Sequence, residues 1–146
     1  MTNWQNNENS MFNLIKKIPQ FNDLKRTSEF ASADCINQSS VVEMKYRSPA
    51  YNHYDEILFE TDKMNRIKQT YGSKDIWYAN ALDKGIYIWN MSDLLRNNYD
   101  FKKTTQKCKK TTNFNNRKKV RKDVGFVHRD AAALFIDYQG NWQTVQ

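Results

Sequence analysis

Residues 34–45, Asp-Cys-Ile-Asn-Gln-Ser-Ser-Val-Val-Glu-Met-Lys, decide how this chain is read. Cys35-Ile36 and Val41 to Tyr46 are runs of strand type, and the polar segment Asn37 to Ser40 between them is a turn, so the stretch predicts a β-hairpin. A turn through Gln38 and Ser39 pairs Asn37 with Ser40, Ile36 with Val41 and Asp34 with Glu43. Residues opposed in this way have Cβ atoms ~4.5–5.5 Å apart, and Lys45, two residues beyond Glu43, leaves the strand from the same face. An aspartate, a glutamate and a lysine therefore converge on one patch.

Two carboxylates so close repel each other, and a divalent cation relieves the repulsion because carboxylate oxygens are hard ligands. Mg²⁺ (or Mn²⁺) held there can polarise a phosphodiester, and an adjacent lysine can orient or deprotonate the attacking water. The same residues equally suit a surface cross-strand ion pair worth under ~1 kcal/mol, and spacing alone leaves both readings open.

Upstream, Met11, Leu14, Ile15 and Ile18 recur at helical spacing, with Ser10 placed to cap the helix and Pro19 to stop it. Downstream, Tyr54 to Phe59 reads as a third strand. Thr61 then caps a helix through Met64, Ile67 and Tyr71, closed by Gly72. Ile76 to Asn80 and Gly85 to Trp89 predict a second hairpin around Ala81 to Lys84. Ser92 is placed to cap a short helical turn through Leu94 and Leu95.

Asp34, then Val41-Val42 followed by Glu43-Met44-Lys45, resembles the D…(D/E)xK signature of the PD-(D/E)xK nuclease superfamily, with Ala33 where proline would stand and a short spacer. The resemblance covers roughly residues 10–90. It implies an α/β fold with a restriction-endonuclease-like core, a mixed central sheet flanked by helices in αβββαβ order. It also implies a metal-dependent DNA endonuclease in which Asp34 and Glu43 bind Mg²⁺ (or Mn²⁺) and Lys45 is the catalytic lysine. Some members add an acidic residue from the first helix, for which Glu8 and Glu29 are the nearby candidates. Several branches keep a polar residue reaching the site from the helix after the third strand, the place of Lys63. Arg47, on the same face as Lys45, can hold a phosphate through its fork of donors; it and Lys63 fit a solvated surface equally well. Among the subtypes, Holliday-junction resolvases are similar in size and basicity, which implies a homodimer cutting two strands.

The net charge is +7, the pI about 9.4, and ten of the 23 Lys and Arg lie between Lys102 and Lys122 with no acidic residue among them. These are Lys102, Lys103, Lys107, Lys109, Lys110, Arg117, Lys118, Lys119, Arg121 and Lys122. With Thr104, Thr105, Thr111, Thr112 and Phe114 interleaved, the tract reads as an internal basic arm or loop that grips nucleic-acid phosphates, a basic C-terminal extension of the nuclease core. A solvated like-charge loop is the plainer reading. A non-catalytic nucleic-acid-binding protein that uses this tract alone is the rival function; its binding would be salt-sensitive and indifferent to metal.

The chain has 146 residues, enough for a single domain over 1–146, and a 14% aromatic share that supplies its core. Trp77, Tyr78, Tyr87 and Trp89 are assigned to that core, although alternating aromatics can also stack on unpaired bases. Cys35 and Cys108 stand far apart, which suits a reducing compartment, and His53 and His128 lack companions at zinc spacing. The polar MTNWQNNENS start lacks a signal-peptide layout, and no apolar run approaches the ~18 residues of a membrane span, so a cytoplasmic protein is expected. Asn-, Lys- and Ile-rich usage suggests an AT-rich genome and would suit a phage or mobile element.

Overall fold

The computed structural model describes residues 3–28, 31–109 and 119–145. The first helix, α1 (Asn3–Ile15), begins well before Ser10, which lies inside it and is not its cap. Met11, Ile15 and the following Ile18 are buried, as the helical spacing requires. The helical path then tightens, with Ile18 N donating to Ile15 O at 3.1 Å. Pro19 does not stop the chain; it opens a further 3₁₀ turn (Pro19–Phe21), where its missing N–H costs nothing. That turn sets Phe21 edge-on to Trp77, ring centroids 5.2 Å apart.

Strands β1 (Lys25–Arg26), β2 (Cys35–Ile36) and β3 (Ser40–Tyr46) form an antiparallel meander. Its register is the one the turn predicts: Ile36 opposes Val41, Cys35 opposes Val42, and Asn37 N donates to Ser40 O at 3.0 Å. Asn37 fixes the turn itself, its Oδ1 accepting from the N–H groups of Ser39 at 3.1 Å and Ser40 at 2.7 Å.

The chain continues through β4 (Glu56–Glu60), α2 (Thr61–Tyr71), β5 (Asp75–Ala81), β6 (Gly85–Asn90) and α3 (Met91–Arg96). It ends in β7 (Thr104–Lys109), β8 (Lys119–His128), β9 (Leu134–Asp137) and β10 (Trp142–Thr144). Among the described residues these build a seven-stranded sheet, β1-β2-β3-β5-β6-β9-β10, and a three-stranded sheet, β4-β8-β7. Only β3 and β5 pair in parallel, so the large sheet is mixed. The class is α/β.

One expected element sits elsewhere. The segment read as the third strand of the meander is β4, and it pairs with β8 in the small sheet, Leu58 opposite Phe126. β3 has no free edge for it, because β2 and β5 occupy both sides. The meander takes its third strand from β1 instead. In the basic tract the described residues 104–109 and 119–122 are strand, β7 and the start of β8 paired as an antiparallel ribbon, while 110–118 lie outside the described residues; β9 and β10 beyond the tract rejoin the large sheet. Thr61 and Ser92 do not cap their helices; Glu60 and Asn90 hold those positions, Asn90 Oδ1 accepting from Asp93 N, while Ser92 Oγ accepts from Ile76 N. Gly72 follows α2 in right-handed geometry, so nothing there demands a glycine's left-handed freedom.

Strand alternation divides the core. On one face of the large sheet, Val42, Met44, Trp77 and Ile88 pack on α1. On the other, Val41, Ile76, Tyr78 and Trp89 meet Ile67 of α2 together with Ile57, Phe59 and Val127 of the small sheet. The four aromatics assigned to the core lie in these two layers: Trp77 is buried on the α1 face, Tyr78 and Trp89 are buried on the other, and Tyr87 packs on that second face. No described helix is long and apolar enough to cross a membrane.

Gly85 marks a close approach of β6 to β9. A Cβ there would lie 2.5 Å from Ile136 O and 2.7 Å from the Phe135 ring. Gly85→Ala is expected to cost about 2 kcal/mol in urea denaturation, a size typical of overpacking against backbone. An unchanged midpoint would show that the two strands separate freely.

Candidate active site

Glu43 and Lys45 leave β3 on the face that meets α2 and the small sheet, in register with Tyr78 and Asn80 of β5. Asp34 stands just before β2, where that two-residue strand has ended. Its Oδ2 accepts from Met44 N at 2.7 Å, its N–H donates to Val42 O at 3.2 Å, and its carbonyl takes Thr27 N at 2.9 Å. Main-chain bonds to both neighbouring strands thus fix the residue, and they bring its carboxyl into hydrogen-bonding contact with that of Glu43. The structure brings together all three residues of the predicted patch.

Lys63 joins them. The first turn of α2 lies over the sheet, and Lys63 Nζ is 2.8 Å from Glu43 Oε2, an ion pair whose carboxylate side chain is only 2% exposed. Apart from that ionic contact, Oε2 receives no hydrogen bond. Burial, then the hydrogen bond and negative charge of Asp34, push the Glu43 carboxyl up to about 8, against the opposing charges of Lys63 and Lys45. Lys45 is held below the usual lysine range, first by burial and then by the charges of Lys63 and Arg47. Lys63 moves the other way: despite the opposing effect of burial, its pairing with Glu43 raises it.

Two further carboxylates border the cluster. Glu8, on α1, pairs with Arg26; burial and then the Asp34 charge raise its pKa above the ordinary carboxyl value. It is the first-helix acid that the structure places near Asp34, whereas the alternative, Glu29, lies outside the described residues. Glu60, missed in the sequence, pairs with Lys122; burial raises it, but its hydrogen bond and charge pairing with Lys122, aided by Lys45 and Lys63, leave it lowered overall.

Arg47 does not present its fork to an incoming phosphate. Its Nε donates to Asn80 Oδ1 at 2.8 Å, and its Nη2 to Leu58 O at 2.6 Å and Tyr78 Oη at 2.7 Å. It ties the end of β3 to β4 and β5, a positioning role that charge type in the sequence does not distinguish from phosphate binding.

Among the described residues no group of three or more His, Cys, Asp or Glu side chains is arranged to hold a metal ion. A cation at this site would rest on Asp34 and Glu43, which suits Mg²⁺, since that ion binds through one or two carboxylates and keeps several waters. The chemistry of the pair fits: a buried carboxylate retaining a proton beside a second carboxylate is a site where a cation can replace the proton. His53 and His128 lie apart from it, His53 against the Tyr54 ring and His128 Nδ1 accepting from Asp130 N. Cys35 is buried, and burial pushes its thiol up to about 12, which makes it inert. A cavity of about 260 Å³ opens between α2 and α3, lined by Met64, Ile76, Met91 and Phe101 among others, and none of the patch residues lines it.

The root of the basic ribbon adjoins the cluster through the Lys122–Glu60 pair, and Lys102 pairs with Glu56 of the same strand, β4. Those two cations are engaged within the protein. Lys103, Lys107 and Arg121 are exposed. Lys110, Arg117 and Lys118 lie outside the described residues, as do Thr111, Thr112 and Phe114, and Lys109 and Lys119 are described only in their backbone. In comparisons with protein-family models, curated proteins and solved structures, the chain matches none.

Proposed function

We propose that this chain is a Mg²⁺- or Mn²⁺-dependent endonuclease that hydrolyses phosphodiester bonds in DNA, built on a restriction-endonuclease-like core of the PD-(D/E)xK type. One observation carries the reading: two carboxyls in contact on one sheet face, Asp34 and Glu43, stand beside two lysines. The topology supports it. A helix, the β1-β2-β3 meander, then α2 and the parallel strand β5 follow the αβββαβ order, with β4 as an addition that leaves for the small sheet. Glu43 and Lys45 also lie on β3, which with β5 makes the parallel pair among the described strands, and open α/β sheets bind their ligands near the carboxyl ends of such strands.

In this reading Asp34 and Glu43 hold the cation. When bound, it polarises the phosphodiester and offsets charge building on the phosphoryl oxygens. Lys45, whose Nζ gives up its proton more readily than an ordinary lysine, orients a water and accepts its proton. Lys63 supplies in the free chain the positive charge that a cation would bring, and on its flexible stem it can leave Glu43 to face a substrate phosphate. Met44 N–H keeps Asp34 aimed throughout.

The test is cleavage of plasmid and of four-way junction DNA with Mg²⁺. Asp34→Ala and Lys45→Ala should each lower the rate at least about 10²-fold, the scale seen when a transition-state contact is removed. Activity surviving either substitution would reject the site. The finer reading is a Holliday-junction resolvase acting as a homodimer, supported by small size and basic charge; it requires the junction to be cut faster than linear duplex. The close approach of Lys63 to Glu43 favours a second reading, because it sets a positive charge beside the acidic residue without any metal. In that case the chain is a nucleic-acid-binding protein only, and calorimetry with Mg²⁺ or Mn²⁺ would show no binding that depends on Glu43.

A further inference from the structure

From the β7–β8 ribbon we infer that the nucleic acid bound is a duplex, and that the ribbon enters its major groove. This rests on the nucleic-acid part of the function proposed above, not on its catalytic part.

β4 covers only residues 124–128 of β8, since its pairing runs from Glu60↔Val124 to Glu56↔His128. Residues 119–123 and their partners 105–109 extend beyond it as a bare two-stranded ribbon. At ~3.3 Å per residue the projection is ~16 Å long, and two strands lie ~4.8 Å apart. The major groove of B-DNA, ~12 Å wide, admits such a ribbon as it stands, whereas the ~6 Å minor groove takes one only after the duplex is deformed.

The register of the ribbon sets like charges against each other. Lys107 is directly opposite Arg121, and Lys109 opposite Lys119. Opposed like charges destabilise a sheet, so an isolated ribbon gains nothing from this pattern. A polyanion on the ribbon reverses the sign of the effect. The acidic residue of the ribbon, Asp123, lies at its root, where Thr105 Oγ1 donates to it at 3.1 Å. The root is also where Lys122 and Lys102 are held by Glu60 and Glu56 of β4. Charge is neutralised at the base of the ribbon, beside the carboxylate patch, and left exposed farther out at Lys107 and Arg121.

Fluorescence anisotropy with the whole chain in EDTA tests this, using a labelled 25-base-pair duplex and one of its single strands. The duplex should bind at least about tenfold more tightly. Lys107→Gln with Arg121→Gln should weaken duplex binding about tenfold or more and lower the log–log salt slope by about 2, one counterion per lost phosphate contact. A duplex carrying glucosylated hydroxymethylcytosine, which fills the major groove, should bind poorly, whereas prior netropsin in the minor groove should not interfere. Equal or tighter binding of the single strand, or competition by netropsin and not by glucosylation, would overturn the proposal. Duplex binding of this kind by a chain that never cleaves with Mg²⁺ would sink the nuclease assignment and leave the ribbon inference standing.

Discussion

Glu43→Gln is expected to reduce Mg²⁺-dependent cleavage about 10³-fold and, at the same time, to raise the melting temperature of the metal-free chain at pH 8. The two effects share one cause. Glu43 is 2% exposed, and burial, then Asp34, hold its proton to about pH 8, well above the ordinary carboxyl value of 4.5. Between those limits the unfolded chain has released this proton and the folded chain has kept it. Stability from this group is therefore complete below about pH 4.5, declines as pH rises toward 8, and is constant above. Glutamine removes the penalty: its amide nitrogen can donate to Asp34 while its oxygen faces Lys63. The gain near pH 8 should be on the order of 2 kcal/mol, or about 5 °C for a chain of this size. The parent chain should recover part of that gain when Mg²⁺ is added, increasingly so toward pH 8, because the cation takes the place of the proton; the variant should not respond. Scanning calorimetry at pH 5 and pH 8, with and without Mg²⁺, reads all of this. A Glu43→Gln chain that melts below the parent at pH 8, or that still gains stability from Mg²⁺, would show that the carboxylate pair is not a cation site.

The patch was legible because its geometry depends on a short turn. Asn37 fixes the hairpin locally, and once the register is set, alternation alone places Glu43 and Lys45 together and Asp34 opposite. Nothing comparable marks β4. Its EILFE pattern suits either sheet, and its partner β8 lies some seventy residues away in sequence, where a pairing leaves no local trace. β1 was invisible for the opposite reason: two exposed residues, Lys25 and Arg26, carry no strand pattern at all. Arg47 shows the limit for side chains. Its spacing put it on the correct face, but the carbonyl of Leu58 that draws it inward belongs to the strand whose position could not be read. Charges that meet across elements, Lys63 with Glu43 and Lys122 with Glu60, become specific only when α2 and β8 are in place.

Arg129→Ala should be among the most destabilising single substitutions in the chain, by about 3 kcal/mol in urea denaturation, and no sequence motif announces it. Its side chain is 10% exposed and uses three nitrogens: Nε donates to Tyr54 O at 2.9 Å, Nη1 to Asp83 Oδ1 at 2.8 Å, and Nη2 to Asn52 O at 2.7 Å. The guanidinium also lies 5.0 Å over the Tyr87 ring. Asn52 and Tyr54 belong to the connection that carries the chain from β3 to β4, so this one side chain fastens the link between the two sheets. Removing it takes the Arg129 donor from the Tyr54 carbonyl, while Asn52 O keeps the Asp83 N–H at 3.0 Å, and truncating one partner of a buried charged network typically costs 3–5 kcal/mol. The lower end applies here, because Asp83 is 37% exposed and water can replace its lost partner. Arg129→Lys should recover less than half of the loss, since one ammonium cannot span three acceptors set around a planar fork. Limited proteolysis provides an independent readout, with cleavage between residues 47 and 55 accelerating in the alanine variant. A loss under about 1 kcal/mol, or full rescue by lysine, would mean that the connection is held by its own turns, Tyr51 N to Ser48 O and Asn52 N to Ser48 O, and not by the guanidinium.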